Sequence, residues 1–224
     1  MTPVKELRFA VSARAGEVSA ILIRPPKSRL LLVLAHGAGA GMRHRFMEEA
    51  ATTLASRGIA TFRYQFPYTE KGGKRPDPQP VLLATVRAAV AAAHAVAEDL
   101  PLLAGGKSMG GRMTSLTASE EPLPNVKGLV FFGFPLHAAG SPGSSRGDHL
   151  QNVTVPMLFL QGSRDKLADL TLLRPIALRL GARGTLHVID DADHSFAVPK
   201  RTGRDTSAIL AELAEATASW AERT

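Results

Sequence analysis

The 224-residue chain contains no cysteine. That excludes disulfides, a thiolate nucleophile and cysteine-ligated zinc together, and it leaves a reducing cytosol as the default compartment. Aromatic residues make up only 5% of the chain, few for a surface that stacks bases. Long apolar runs are missing too: "LLLVLA" at 30–35 and the Ala-rich stretch near 88–93 fall well short of the roughly 20 residues that cross a bilayer. The opening residues, "MTPVKELRFAVSARAGE", carry charges where a signal peptide has its apolar core. A cytoplasmic protein with no membrane partner is expected. Glycine and proline are not in excess and charged residues are 21%, which excludes a disordered or fibrous chain.

What is present is enough apolar material, 45% of residues, for one sizeable core, and a single α/β domain over 1–224 is expected. The formal net charge is +7. The cations lie in scattered pairs and triplets (Arg43 and Arg45; Lys71, Lys74 and Arg75; Lys200, Arg201 and Arg204) rather than in one stripe. A solvated basic surface is expected, without a nucleic-acid partner.

The chain shows no internal repeat, low-complexity tract or linker. "KELRFAVS" (5–12) and "VSAILIRP" (18–25) read as an antiparallel strand pair. From "LLLVLA" onward the pattern changes to continuous apolar runs, as expected of strands covered on both faces. Further strands are expected at 59–66, around 102–106, at 126–135, 157–162 and 185–190. Helices are expected at about 46–57, 80–98, 109–119, 169–180 and 204–222, the last presenting Ile209, Leu213, Ala216 and Trp220 on one face. This alternation specifies a mostly parallel twisted sheet with helices on both faces and right-handed crossovers. Function in such sheets sits beyond the carboxyl ends of the strands. The loops there are 36–45, 67–79, 107–109, 135–156, 162–166 and 191–199.

One stretch, "AGGKSMGGR" (104–112), admits two chemistries. A phosphate-binding loop needs G-x-x-x-x-G-K-[ST], and its first glycine would fall on Pro101, which has no amide N–H to offer. A serine nucleophile turn needs G-x-S-x-G between a strand and a helix, and Gly106, Ser108 and Gly110 supply it. Gly105 and Gly111 add clearance. A serine hydroxyl also needs a base and an acid that orients the base, in the chain order serine, acid, histidine. "MLFLQGSRD" presents Asp165 beyond one strand and "TLHVIDDADHSF" presents His194 beyond the next. The oxyanion of the tetrahedral intermediate requires two backbone N–H groups. Met109 is one, and Ala38 of "HGAGAG" the other, with Gly39 the alternative. Gly39, Arg43, Tyr68 and His137 lie on the same loops and are expected to contact substrate.

Among the rival histidines, His94 and His187 lie inside a helix and a strand, and His36 opens the oxyanion loop and shapes it; His44 and His149 join His137 on candidate loops. Asp169 reads as a helix cap, and Asp190, Asp191 and Asp193 are too near His194 in sequence to face its ring. No cluster of histidine and carboxylate residues has metal-ligand spacing, so neither metal nor cofactor is expected.

With these residues in place the chain resembles the α/β-hydrolase superfamily over nearly its whole length. More closely it is similar to the dienelactone-hydrolase-like branch that includes testis-expressed-protein and NSL-complex-subunit relatives, on the blocks "LAHGAGAGMRHRFM", "FRYQFPYTEKGGKRPDP", "AGGKSMGGRM", "FFGFPLH", "RGDHL", "LFLQGSRD" and "DADHSF". The resemblance implies Ser108, Asp165 and His194 as the triad and no cofactor. The chain departs from dienelactone hydrolase proper, whose nucleophile is cysteine. A serine hydrolase of a small ester, thioester or lactone is expected, and an interaction scaffold that keeps the fold without the chemistry is the alternative. The imidazole of His194 must be neutral to act as base, so activity is expected to fall in acid. Basic residues near the loops (Arg43, Arg45, Arg63, Lys71, Lys74, Arg75, Lys107, Arg112, Arg146 and Arg164) suggest an anionic substrate. The segment 136–156 is the one candidate lid, too short for a cap domain.

Overall fold

The antiparallel hairpin comes first, with an outer strand that is mostly exposed and an inner strand that is mostly buried. The computed structural model describes residues 4–224 and pairs β1 (Val4–Ser12) with β2 (Gly16–Ile23), the turn closing at Gly16 with φ +81°. Then follow β3 (Leu30–Ala35), α1 (Arg45–Ser56), β4 (Ile59–Tyr64), α2 (Pro67–Glu70), α3 (Gln79–Val96), β5 (Leu102–Lys107), α4 (Met109–Glu120) and β6 (Val126–Phe132). The last third holds β7 (Met157–Gly162), α5 (Leu170–Arg179), β8 (Gly184–Ile189) and α6 (Thr206–Ala221).

Among the described residues the strands make one eight-stranded sheet in the order β1-β2-β4-β3-β5-β6-β7-β8. β1 and β2 are antiparallel to their neighbours, and β3 to β8 run parallel. Two apolar layers sandwich this sheet. Leu31, Val33 and Ala35 of β3 face the layer that contains Leu82, Val86 and Val90 of α3, while Leu32 and Leu34 face the layer that contains Met47 of α1 and Leu213 of α6. Both sides of β3 are therefore buried, which is why its sequence is an unbroken apolar run. β3 has β4 on one side and β5 on the other, so successive connections leave it in opposite directions. The crevice beyond such a reversal is where open α/β sheets place their ligands.

Three local features depart from the sequence pattern. β6 ends at Phe132 rather than at 135, because Gly133 turns the chain with φ +72°. α2 and a 3₁₀ segment, Ser145–Asn152, occupy stretches expected as loops, both too brief for a 3.6-residue period to register. Helix α3 is also long and apolar enough, by length and composition, to cross a membrane, with mean hydropathy 1.3 over 18 residues. Here Leu82, Leu83, Val86, Ala89 and Val90 are buried in the core of the sheet fold.

Candidate active site

The turn from β5 into α4 is held in a conformation that a serine adopts only under constraint. Ser108 has φ +51° and ψ −118° and caps α4, so the side chain projects at the tip of the bend. The flanking glycines are a steric necessity. A Cβ on Gly110 would stand 2.6 Å from the carbonyl oxygens of both Ala35 and His36, and one on Gly106 would collide with Ala35. The motif thus welds the end of β3 to the start of α4.

Two other strand ends complete the arrangement. The Ser108 hydroxyl lies 2.8 Å from His194 Nε2, and His194 Nδ1 lies 2.7 Å from Asp165 Oδ2. Asp165 has no exposed side-chain surface, while 24% of the His194 side chain remains open. The carboxylate accepts the Leu167 N–H at 2.8 Å and a hydrogen bond from the Gln161 amide, and Gln161 Oε1 in turn accepts the Phe134 N–H at 2.9 Å. The loop carrying His194 is pinned by Asp193, whose Oδ1 accepts from the N–H groups of Ser195 and Ala197. Asp193 is occupied there, Asp191 pairs with Arg201, and Asp169 caps α5, so none of these carboxylates replaces Asp165. A hydroxyl, an imidazole and a buried carboxylate in this series let the hydroxyl lose its proton as it attacks an electrophile.

The loop after β3 runs close beside Ser108, since a Cβ on Gly37 would be 3.7 Å from Ser108 Cβ. His36 sets its path. It is fully buried, holds Gly37 O through Nδ1 at 2.8 Å, and accepts the Phe66 N–H on Nε2 at 3.2 Å; burial pushes its pKa down to about 4. The Gly39 N–H donates to Tyr68 Oη at 3.0 Å. Gly39 is therefore engaged, whereas the Ala38 N–H has no acceptor among the described residues. The Met109 N–H, at the first position of α4, has no partner within the helix.

The other expected contacts are distributed more widely. Tyr68 is buried and stands against the loop after β3, with burial raising its phenol above the ordinary value. Arg43 instead pairs with Glu6 at 2.5 Å and lines a cavity of about 530 Å³ between β1, β2 and α2, a cavity that Ser108 does not line. His137 is buried with both ring nitrogens in use, Nδ1 on Ala138 O and Nε2 accepting the Asp169 N–H, each at 2.9 Å. His44 caps α1, His187 pairs with Glu212, and His149 bonds Ser115 Oγ at 2.7 Å.

Gln161 has no role in the sequence reading, and Lys107 figures there only among the cations expected to draw an anionic substrate. Lys107 Nζ donates to the backbone carbonyl of His194 at 2.6 Å and lies 5.8 and 5.4 Å from the ring centres of Phe46 and Phe196. Burial pushes its ammonium down to about 8, against the attraction of Asp165 and Asp193. It is held against the backbone of the His194 loop. The signal in sequence was a polar residue ending an apolar strand: Lys107 after "LLAGG" and Gln161 after "MLFL".

Residues 28–222 match the family model described as the alpha/beta hydrolase domain. The chain belongs to the α/β-hydrolase family. Solved α/β-hydrolase-like structures overlay on nearly the entire chain. The esterase domain of a Rhodothermus marinus protein covers 99% of this chain and 98% of its own, with TM-score 0.73 at 18% identity. Dienelactone hydrolase from Anabaena variabilis covers 98% of each chain, with TM-score 0.73 at 19% identity. A Xanthomonas campestris serine hydrolase described as lacking a lid covers 98% of this chain and 96% of its own, with TM-score 0.73 at 20% identity. Curated relatives in two Mycobacterium tuberculosis strains, CDC 1551 / Oshkosh and ATCC 25618 / H37Rv, are 29% identical over 204 residues and are named as candidate phosphoribosyl transferases. The match takes in 88% of this chain but only 43% of the length of those relatives.

Proposed function

We propose that this α/β hydrolase cleaves a small carboxylic ester, thioester or lactone through Ser108, His194 and Asp165. The observation that carries the reading is the unbroken hydrogen-bonded series from Ser108 Oγ through both nitrogens of His194 to the sequestered Asp165. Ser108 Oγ bonds to the carbonyl carbon while its proton passes to His194 Nε2. The tetrahedral oxyanion is held by the Ala38 and Met109 N–H groups. The carbon–oxygen or carbon–sulfur bond then breaks, and the imidazolium returns its proton to the departing alcohol or thiol. A water molecule, deprotonated by the same imidazole, attacks the acyl-serine and releases the acid. Asp165 keeps the Nδ1 proton in place and stabilises the imidazolium.

Esterase and dienelactone hydrolase names among the structural neighbours agree in kind with this chemistry. The phosphoribosyl transferase name belongs to chains more than twice the length of the matched region and assigns nothing to Ser108. The Ser108→Ala variant is expected to lose about 10³-fold or more in kcat on p-nitrophenyl esters. Turnover equal to that of the parent would refute the mechanism.

A further inference from the structure

The structure divides the cations near the strand ends into three sets. Arg43 and Arg45 are paired with Glu6 and Glu49, Arg63 is buried and donates to Met42 O, and Lys107 is held by His194 O. Lys71, Lys74, Arg75 and Arg164 are exposed to solvent. Arg112 and Arg146 belong to neither set. Each is only partly exposed, and among the described residues neither makes an ion pair or a side-chain hydrogen bond. Arg112 Nε is sealed from solvent without an acceptor.

Their placement is what gives this significance. Arg112 sits one turn into α4, its N–H bonded to Ser108 O at 3.1 Å, and a helical side chain leans back toward the N-terminal turn, here the turn of the nucleophile. Arg146 is brought alongside by the 3₁₀ segment Ser145–Asn152. His149 of that segment bonds Ser115 Oγ, and Ser115 is bonded back to the carbonyl of Arg112. Burial first, and then the charge of Arg146, holds the pKa of Arg112 below its usual value. His149 offers no compensation, being held neutral by burial and by Arg112, with its pKa down to about 4. The one carboxylate of the segment, Asp148, is exposed and pairs with neither arginine. A half-desolvated guanidinium facing another cation is unfavourable until an anion lies between them.

We propose that Arg112 and Arg146 form an anion site that seats a carboxylate or phosphate group of the substrate one helical turn from Ser108. This rests on the hydrolase reading and narrows it to esters that carry a second, negatively charged group. The planar forks of two arginines suit the oxygens of such a group bidentately.

Two measurements test it. In the first, kcat/KM for p-nitrophenyl hemisuccinate is divided by that for its neutral methyl ester, in the parent, Arg112→Met, Arg146→Gln and, as a control for net charge, Lys5→Gln on the distant edge strand. The ratio is expected to fall about 30-fold or more in each arginine variant and to hold in Lys5→Gln. A ratio that stays level in both arginine variants, or falls equally in all three, overturns the proposal. In the second, succinate and inorganic phosphate are added to the parent and to Arg146→Gln, and the Tm is read. A rise with either anion that is lost in the variant supports the site and shows which oxyanion fits; no rise with either, or the same rise in both proteins, overturns it. The Tm arm needs no turnover, so a protein that hydrolyses neither ester would end the hydrolase reading while still deciding the fate of the anion site.

Discussion

Lys107 separates positioning from stability at the scale of a single side chain. Its ammonium donates to His194 O and is flanked by two aromatic rings, contributions of about 1.5–3 and about 1 kcal/mol. Against them stands the desolvation that takes its pKa from 10.5 to about 8, roughly 3 kcal/mol. These nearly cancel at pH 7, so Lys107→Met is expected to keep its Tm within a few degrees. Its carbonyl partner then goes unpaired and the His194 loop loosens, so kcat should fall about tenfold with KM little changed. An unaltered kcat would remove Lys107 from the machinery. The sign of the linkage also follows. With the folded pKa below the unfolded one, the unfolded chain binds more protons between about pH 8 and 10.5. The stability of the parent relative to Lys107→Met should therefore rise with pH across that window, as read by urea titrations at several pH values. Asp165→Asn is a sharper change: it leaves the site filled but presents the wrong group to Nδ1, and a loss of about 10⁴-fold in kcat is expected.

The elements were legible to different depths. Strands with both faces buried, such as β3 and β7, announce themselves as continuous apolar runs, and α4 follows from G-x-S-x-G because no other element fits after that bend. Ser108, Asp165 and His194 could be placed because Ser108 directly follows a recognisable strand and the other two stand one short loop beyond theirs. What the pattern left dark were contacts that depend on packing rather than period. The Tyr68 hydroxyl that occupies Gly39, the Arg43–Glu6 pair and the packing of Ser145–Asn152 on α4 all join residues far apart in sequence. His137 shows the same limit, since its loop position gives no hint that Asp169 and Ala138 take up its ring. The junction of β3 and α4 provides the test at this scale. Gly110→Ala places a methyl 2.6 Å from two carbonyl oxygens of the strand end, and a loss of about 3 kcal/mol is expected, seen as a drop of about 6–12 °C in Tm. A Tm unchanged from the parent would mean that the bend is looser than the geometry requires.

At the scale of the whole molecule, charge and topology act together. A formal net charge of +7 draws anions toward the protein from a distance, and added salt screens that field over roughly 10 Å at 0.1 M. The kcat/KM of an anionic ester is therefore expected to decline steadily with ionic strength while that of a neutral ester stays level, and parallel salt curves would contradict this. The sheet contributes through the reversal of its connections at β3, which leaves the loop after β3, the serine turn after β5 and the histidine loop after β8 on one rim. These loops converge on one hydroxyl, that of Ser108. Incubating the folded protein with a fluorophosphonate and locating the modified residue by peptide mass spectrometry reports whether that hydroxyl is activated. A single adduct on Ser108 is expected, formed in the parent and lost in His194→Gln; a folded parent that stays unmodified, or is modified at another residue, would rule out an activated Ser108.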